Sequence, residues 1–163
     1  LPLYLVNDRG LDLDLANTLL SLSRVSGLFM VFFAGWLTDK AGERRTIHFI
    51  LFFAGITTCL LALLPERGLF VMVFLQPAIV ACFFPAGFKA LSQVVPPSMR
   101  SLATGWVIPL GFLFGSGVIP AFIGYIAEYG NFSVGIFVTG CLIVCGSFLA
   151  LLLRFESFDQ DGC

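Results

Sequence analysis

Apolar and polar positions fall in blocks along this chain rather than in a short alternating rhythm. Five apolar runs, at about 15–37, 46–64, 69–94, 102–126 and 132–153, are separated by short polar pieces. Each run is near or above the ~20 residues that a helix needs to cross the ~30 Å hydrocarbon core of a bilayer. No water reaches that core, so backbone N–H and C=O groups must bond within the segment, and the runs are predicted to be helices. Residues 7–14 form a polar, acidic connection, and Pro65-Glu66-Arg67-Gly68 reads as a tight turn. Pro96 and Pro97 end the third run because proline supplies no N–H donor. Glu128-Tyr129-Gly130-Asn131 turns the fourth run into the fifth. Leu1–Val6 is apolar but too short to span, and reads as the tail of a further helix in a longer protein. Residues 154–163 are polar and acidic, and read as a disordered tail. The predicted fold class is an all-α polytopic membrane protein with five complete spans and the end of a sixth.

Composition strengthens this reading. The chain has 163 residues, 58% of them hydrophobic and 12% charged, whereas soluble domains are near half apolar and a quarter charged. No basic leader with a small-residue cleavage site is present. Lys40, Arg44, Arg45, Lys89, Arg100 and Arg154 fall on one predicted side of the membrane. Arg9 and Arg67 fall on the other with Asp8, Asp12, Asp14, Glu66 and Glu128. The excess of basic residues predicts that the first side, and the C-terminus with it, is cytoplasmic.

The most informative polar piece is Gly35-Trp36-Leu37-Thr38-Asp39-Lys40-Ala41-Gly42-Glu43-Arg44-Arg45, a charged hinge between the first two runs. Gly35 and Gly42 suit close helix approach and a tight turn, since glycine has no Cβ to clash. The pattern G-x-L-x-D-x-x-G-x-R-R resembles the signature loop of the major facilitator superfamily of secondary transporters. Gly35, Leu37, Asp39, Gly42, Arg44 and Arg45 fit it, while Glu43 occupies a position where Arg or Lys is commoner. The resemblance extends over nearly the whole chain. Leu1–Val6 looks like the end of the seventh helix of such a transporter, the five spans look like the eighth to twelfth, and Pro96–Gly105 is similar to the loop before the eleventh. It implies the C-terminal six-helix bundle of a transporter whose N-terminal six-helix half lies outside this sequence, with substrate bound at the bilayer midplane between the halves. It also implies that Asp39 and the arginines form a cytoplasmic charge network that locks the outward-open state. Topology alone, with basic residues holding the loop inside, is the alternative.

Arg24 is the only charged residue deep in the first run, ~12 Å from Ala16 at 1.5 Å per residue. An intramembrane arginine costs ~2.5–3.5 kcal/mol on insertion scales, so it is expected to face a cavity or a partner. Asn17, Ser21 and Arg24 share one helical stripe. That stripe is a candidate lining of a translocation path, with the planar guanidinium holding an anion. An ion pair with a carboxylate of the absent half, and snorkelling to the membrane surface, stay open for Arg24. Gln76, just before Pro77, is either a cavity-lining donor beside a kink or a bond to a neighbouring helix. Lys89 reads as a snorkelling residue, and His48, beside the signature loop, as a structural one. Gly111 and Gly115 form G-x-x-x-G, which lets membrane helices approach, while Pro120 and Gly124 favour a bend. These four are read as packing and bending residues.

The five cysteines lack metal-ligand spacing, and Cys141 and Cys145, four apart, share a helix face. No phosphate-binding glycine loop, catalytic triad or metal cluster is present, so neither an enzyme nor a metal, cofactor or nucleic-acid partner is expected. No carboxylate lies within the predicted spans, so proton coupling through one is not visible in this half. The expected partners are a small-molecule substrate, the lipid bilayer and the N-terminal half, in a cell (inner or plasma) membrane. The expected activity is alternating-access transport of a small molecule, with an organic anion favoured by Arg24. The alternatives are an exporter of drugs or hydrophobic compounds, with which the 19 phenylalanines are compatible, and a receptor or assembly partner that kept the fold without transporting.

Overall fold

A computed structural model describes residues 2–129 and 131–152. Gly130 and the tail 154–163, with Arg154 and Cys163, lie outside the described residues, as do the side chains of Glu66 and Arg67. All regular structure described is helical: α1 (Pro2–Asn7), α2 (Leu13–Ala41), α3 (Glu43–Leu63), α4 (Glu66–Ala81), α5 (Phe83–Val94), α6 (Arg100–Phe112), α7 (Ile119–Tyr129) and α8 (Phe132–Ala150). A 3₁₀ turn at Pro97–Met99 leads into α6, and a π-helical segment, Leu113–Val118, joins α6 to α7. Five helical stretches are long and apolar enough to cross a membrane, with α4–α5 and α6–α7 each counting as one.

The chain between the first two spans is tighter than its composition suggests. The expected eleven-residue hinge is mostly helix, because α2 continues to Ala41 and α3 begins at Glu43. Gly42 alone is the joint, at φ 82° and ψ 155°, a left-handed backbone that only glycine adopts cheaply. Its N–H donates to the Thr38 carbonyl, and its own carbonyl accepts from the N–H and hydroxyl of Thr46. The peptide therefore serves both helix ends at once. Gly35 lies within α2, and a Cβ there would meet nothing within 4 Å. It is no part of the turn, and no helix of this chain approaches it. Similarly, α4 already starts at Glu66, so Gly68 is helical and the turn is only Leu64 and Pro65.

Prolines shape the third and fourth spans. Proline cannot donate to the carbonyl four residues back, and its ring crowds that carbonyl. The expected continuous span 69–94 is divided at Cys82, whose N–H reaches the Ile79 carbonyl, and α5 restarts with Pro85 in its first turn, where no N–H is needed. The fourth span runs from Pro97 to Tyr129, beyond the expected 102–126 at both ends. Before Pro120 its ladder loosens, and the Ile119 N–H bonds the Phe114 carbonyl five residues back. Such π segments recur at functional sites in helices.

Helix α3 is the centre of the bundle and packs most extensively on α8, while α2 packs chiefly on α4. The α3–α8 contact is made by glycines. A Cβ on Gly55 would lie 2.8 Å from the Val144 nitrogen, and one on Gly140 would lie 2.5 Å from the Cys59 Sγ. Contact this close gives membrane helices the dispersion energy that lipid cannot withhold. The expected G-x-x-x-G contact at Gly111 and Gly115 is not made within this chain, because no atom lies within 4 Å of a Cβ at either position. No residue of α6, the π segment or α7 is buried by the rest of the chain.

Two apolar cores plug the bundle. One, near α1, contains Tyr4, Leu5, Leu61, Leu69, Val73 and Ile136. The other, near Gly42, is built largely of small residues, among them Ala34, Cys82, Ala86, Ala90 and Ala150. The ends of the α3–α8 pair are pinned by polar bonds. Asp8 Oδ2 accepts from the Ser133 N–H at 3.0 Å, at the positive N-terminus of α8. Arg9 donates to the Ala62 carbonyl at 3.1 Å and to the Tyr4 hydroxyl at 2.9 Å, and Tyr4 donates to the Leu61 carbonyl at 2.8 Å. At the opposite end the His48 ring bonds the Ser147 carbonyl through Nδ1 at 2.8 Å.

Gly140→Ala is expected to lower stability by about 1–3 kcal/mol, since its methyl would overlap Cys59 and push the two helices apart. Gly146→Ala, in the same helix with open space around it, is expected to be neutral or slightly stabilising. Thermal unfolding of the two variants in one detergent checks the difference, and equal midpoints would mean that the α3–α8 contact is not the tight one.

Candidate functional site

The interior between the two plugs is hollow. A cavity of about 540 Å³ opens between α2, α3, α4, α7 and α8, within the size range of small-molecule sites. Arg24 and Gln76, singled out from sequence, both line it. So do Gly115, Pro120 and Gly124, which thus form wall as well as bend.

Gly27 explains how Arg24 and Gln76 come together. It is buried, and a Cβ there would lie 3.2 Å from that of Ala81 and 3.5 Å from the Pro77 carbonyl oxygen. Helices α2 and α4 therefore nearly touch, one turn from Arg24 and beside Gln76. The Ser26 hydroxyl lies at the same crossing, 2.6 Å from the Ser23 carbonyl oxygen and 3.0 Å from that of Phe74, so its one hydrogen is shared between its own helix and α4. The buried stripe of α2 is Ala16, Ser23, Gly27, Ala34 and Thr38, so small residues face α4. Asn17 and Ser21 consequently lie on the exposed side of α2, outside the cavity lining, with the Ser21 hydroxyl bonded to the Asn17 carbonyl at 2.8 Å. Arg24 sits between the two faces, lining the cavity while its side remains exposed, and has no ion-pair partner among the described residues. Sequence reasoning passed over Ser23, Thr58 and Thr139, which also line the cavity. The signal for α2 was present in Ser23-x-x-x-Gly27, two small residues four apart and adjacent to the one buried-depth charge.

A second cluster lies at the Gly42 end. Lys89 Nζ on α5 is 2.8 Å from Asp39 Oδ1 on α2 and 2.9 Å from Glu43 Oε1 on α3. Gln93, one turn further along α5, donates to Glu43 at 3.1 Å. Lys89 thus bonds a carboxylate on each side of the Gly42 joint. The expected pairing of Asp39 with Arg44 and Arg45 is replaced by this one. Both arginines are exposed, and neither is ion-paired among the described residues. They begin α3 on its outer side, whereas Asp39 ends α2 toward α5. Glu43, which departs from the signature pattern, supplies the more enclosed half of the latch: its side chain is 13% exposed, against 73% for Asp39. Lys40 turns the other way, its ammonium 4.4 Å above the Trp36 ring.

A helical membrane bundle with a largely apolar cavity carrying a few polar groups, and an ion-pair cluster at one end, agrees with one half of a secondary transporter. Residues 1–161 match the Major Facilitator Superfamily, and the chain belongs to that family. It is similar to the sialic acid transporter NanX of Escherichia coli K12, at 28% identity over 172 residues, covering 99% of this chain and 39% of that protein. It is also similar to the cis,cis-muconate transport protein of Acinetobacter baylyi, at 25% identity over 166 residues, with 99% and 39% covered. The chain therefore spans well under half the length of these relatives. No solved structure matches it.

The latch makes a graded prediction. Asp39→Asn removes an exposed charge and is expected to cost less than ~1 kcal/mol. Glu43→Gln keeps one acceptor oxygen for Lys89 and Gln93 but removes the enclosed negative charge opposite the ammonium, and is expected to cost about 1–3 kcal/mol. Arg44→Gln is expected to change stability least. Unfolding midpoints of the three variants in detergent give the order, and a larger loss from Arg44 than from Glu43 would contradict the latch.

Proposed function

We propose that this chain is the C-terminal half of a transporter that carries a small organic anion by alternating access. The observation that carries the reading is the convergence of Arg24 and Gln76 on one cavity at the depth where the bundle is hollow. A cation held there needs a counter-charge, because desolvation makes an unpaired intramembrane arginine costly, and a substrate carboxylate meets the planar fork with two parallel hydrogen bonds. The names of the two relatives, for sialic acid and for muconate, agree with an acid as cargo. In this reading an N-terminal six-helix half closes the open face of the cavity, the protein lies in the cell membrane, and the Gly42 end and the C-terminus face the cytoplasm.

The mobile parts are those least held. The fourth span is unburied and carries the π segment at Pro120, so it bends against the pinned α3–α8 pair. The Lys89 latch ties the Gly42 ends of α2, α3 and α5 together. Its carboxylate–ammonium contacts form in one access state and part in the other. A second reading, export of a hydrophobic compound, draws on the many apolar residues of the cavity wall, such as Val73, Val80 and Phe84. In that case Arg24 pairs with a carboxylate of the other half.

Flux into proteoliposomes containing the full-length protein separates the readings. Arg24→Ala is expected to abolish uptake of a carboxylate while sparing a neutral compound, and equal loss of both would assign the arginine to structure. Asp39→Asn is expected to slow turnover several-fold with substrate affinity changed less than about twofold. Wild-type turnover in that variant would remove the latch from the transport cycle. Absence of any flux in wild type would favour a receptor that kept the fold.

A further inference from the structure

The hydrogen-bond state of the cavity wall narrows the substrate class, on the reading of that cavity as the transport path. Six polar side chains line it from this chain: Tyr4, Ser23, Arg24, Thr58, Gln76 and Thr139. Four of them are hydroxyls, and a hydroxyl has a single hydrogen to donate. The Tyr4 hydroxyl donates to the Leu61 carbonyl at 2.8 Å and the Ser23 hydroxyl to the Leu20 carbonyl at 2.7 Å. The Thr58 hydroxyl donates to the Ala54 carbonyl at 2.7 Å and the Thr139 hydroxyl to the Gly135 carbonyl at 2.8 Å. Every hydroxyl hydrogen in the wall is therefore spent on the protein's own backbone. Two groups keep free donors, the guanidinium of Arg24 and the carboxamide of Gln76, neither of which has a hydrogen-bond partner among the described residues. The surface between them is aliphatic and aromatic, with Val73, Val80, Phe84, Ile123, Ile136 and Ile143.

We infer that this half of the cavity selects acids bearing one carboxylate on an otherwise apolar carbon frame, and that Gln76 is the residue that meets whatever single further oxygen the frame carries. The carboxylate takes two of the Arg24 donors. Each hydroxyl on the frame loses two water contacts on entry. It can donate to a serine or threonine oxygen here, but from this chain its own oxygen finds a donor only at Gln76 or, close beside the bound carboxylate, at the remaining N–H groups of Arg24. An imperfectly paired buried hydroxyl is expected to weaken binding by about tenfold, and a second carboxylate by more, because it would share one neutral amide. The spent hydroxyls thus act as selectors although they touch the substrate only as weak acceptors.

The test uses six-carbon probes of matched length with the full-length protein: hexanoate, gluconate, adipate and the neutral hexanamide. Affinities are read from the concentration dependence of the thermal unfolding midpoint, since a ligand of the folded state raises it by mass action. Hexanoate is expected to bind at least about tenfold more tightly than gluconate, adipate or hexanamide. Gluconate or adipate binding as tightly as hexanoate would overturn the inference while leaving the anion reading standing. Hexanamide matching hexanoate, or no acid binding at all, would overturn the anion reading and the inference together. In Gln76→Leu, gluconate affinity is expected to fall about fivefold further than hexanoate affinity does. An equal fall for both would make Gln76 a structural residue and remove it from the specificity.

Discussion

The absence of water in the hydrocarbon core governs this structure. Each backbone group there must find a partner in the protein, so the spans are helices, and each departure from helical order stands out. The departures here are not scattered. Helix α3 and helix α8 contain no proline and pack on each other through Gly55 and Gly140 at contact distance. Pro77 and Pro85 flank the break at Cys82, and Pro109 and Pro120 flank the π segment. Helices α2, α3 and α8 are unbroken, and the irregularity is confined to the two proline-bearing spans, both of which contribute to the cavity wall. A rigid spine and two deformable staves follow from where the prolines are.

The polar chemistry is arranged by depth in the same economical way. Both ends of the α3–α8 pair are tied by side chain to backbone bonds, through Asp8 and Arg9 at one end and His48 at the other. The ionic latch sits at the His48 end, and the middle keeps only Arg24 and Gln76 unspent. Charge at the ends holds the shape, and the two side chains with unspent donors lie at the centre.

The number of long apolar helices was legible in the sequence, because a bilayer imposes a length and a polarity on each one. The family was legible in Gly35–Arg45, where glycine, carboxylate and arginine spacing combine. What was not legible was rotation and pairing. The Asn17–Ser21 stripe lies on the exposed face of α2, and the face that meets α4 is the small-residue one, since contact at Gly27 needs space more than polarity. Gly55 and Gly140 looked like ordinary small residues of apolar runs, and only their meeting across 85 positions, 140 less 55, makes them the tightest contact. The bond between Asp39 and Lys89 joins residues 50 positions apart. Local charge pattern pointed to the nearer arginines, which the start of α3 places on the wrong side. Helix limits were underestimated because helices continue through the interface, where charged residues such as Asp14 and Lys40 favourably meet the helix ends.

Lys89 has a mechanical consequence through the Gly42 joint. Gly42 is the single non-helical residue between two long helices, and its peptide is bonded to both of them. Lys89 grips a carboxylate on either side of that joint, one at Asp39 and one at Glu43. The three helix ends then form a triangle whose third corner lies on α5, and a triangle cannot shear as a hinged pair can. The same three helices are already joined on the inside by the core that contains Ala34, Ile47 and Ala86. The lysine closes the outer rim of a joint whose inner side is packed, so charge and apolar contact brace the Gly42 turn from opposite faces.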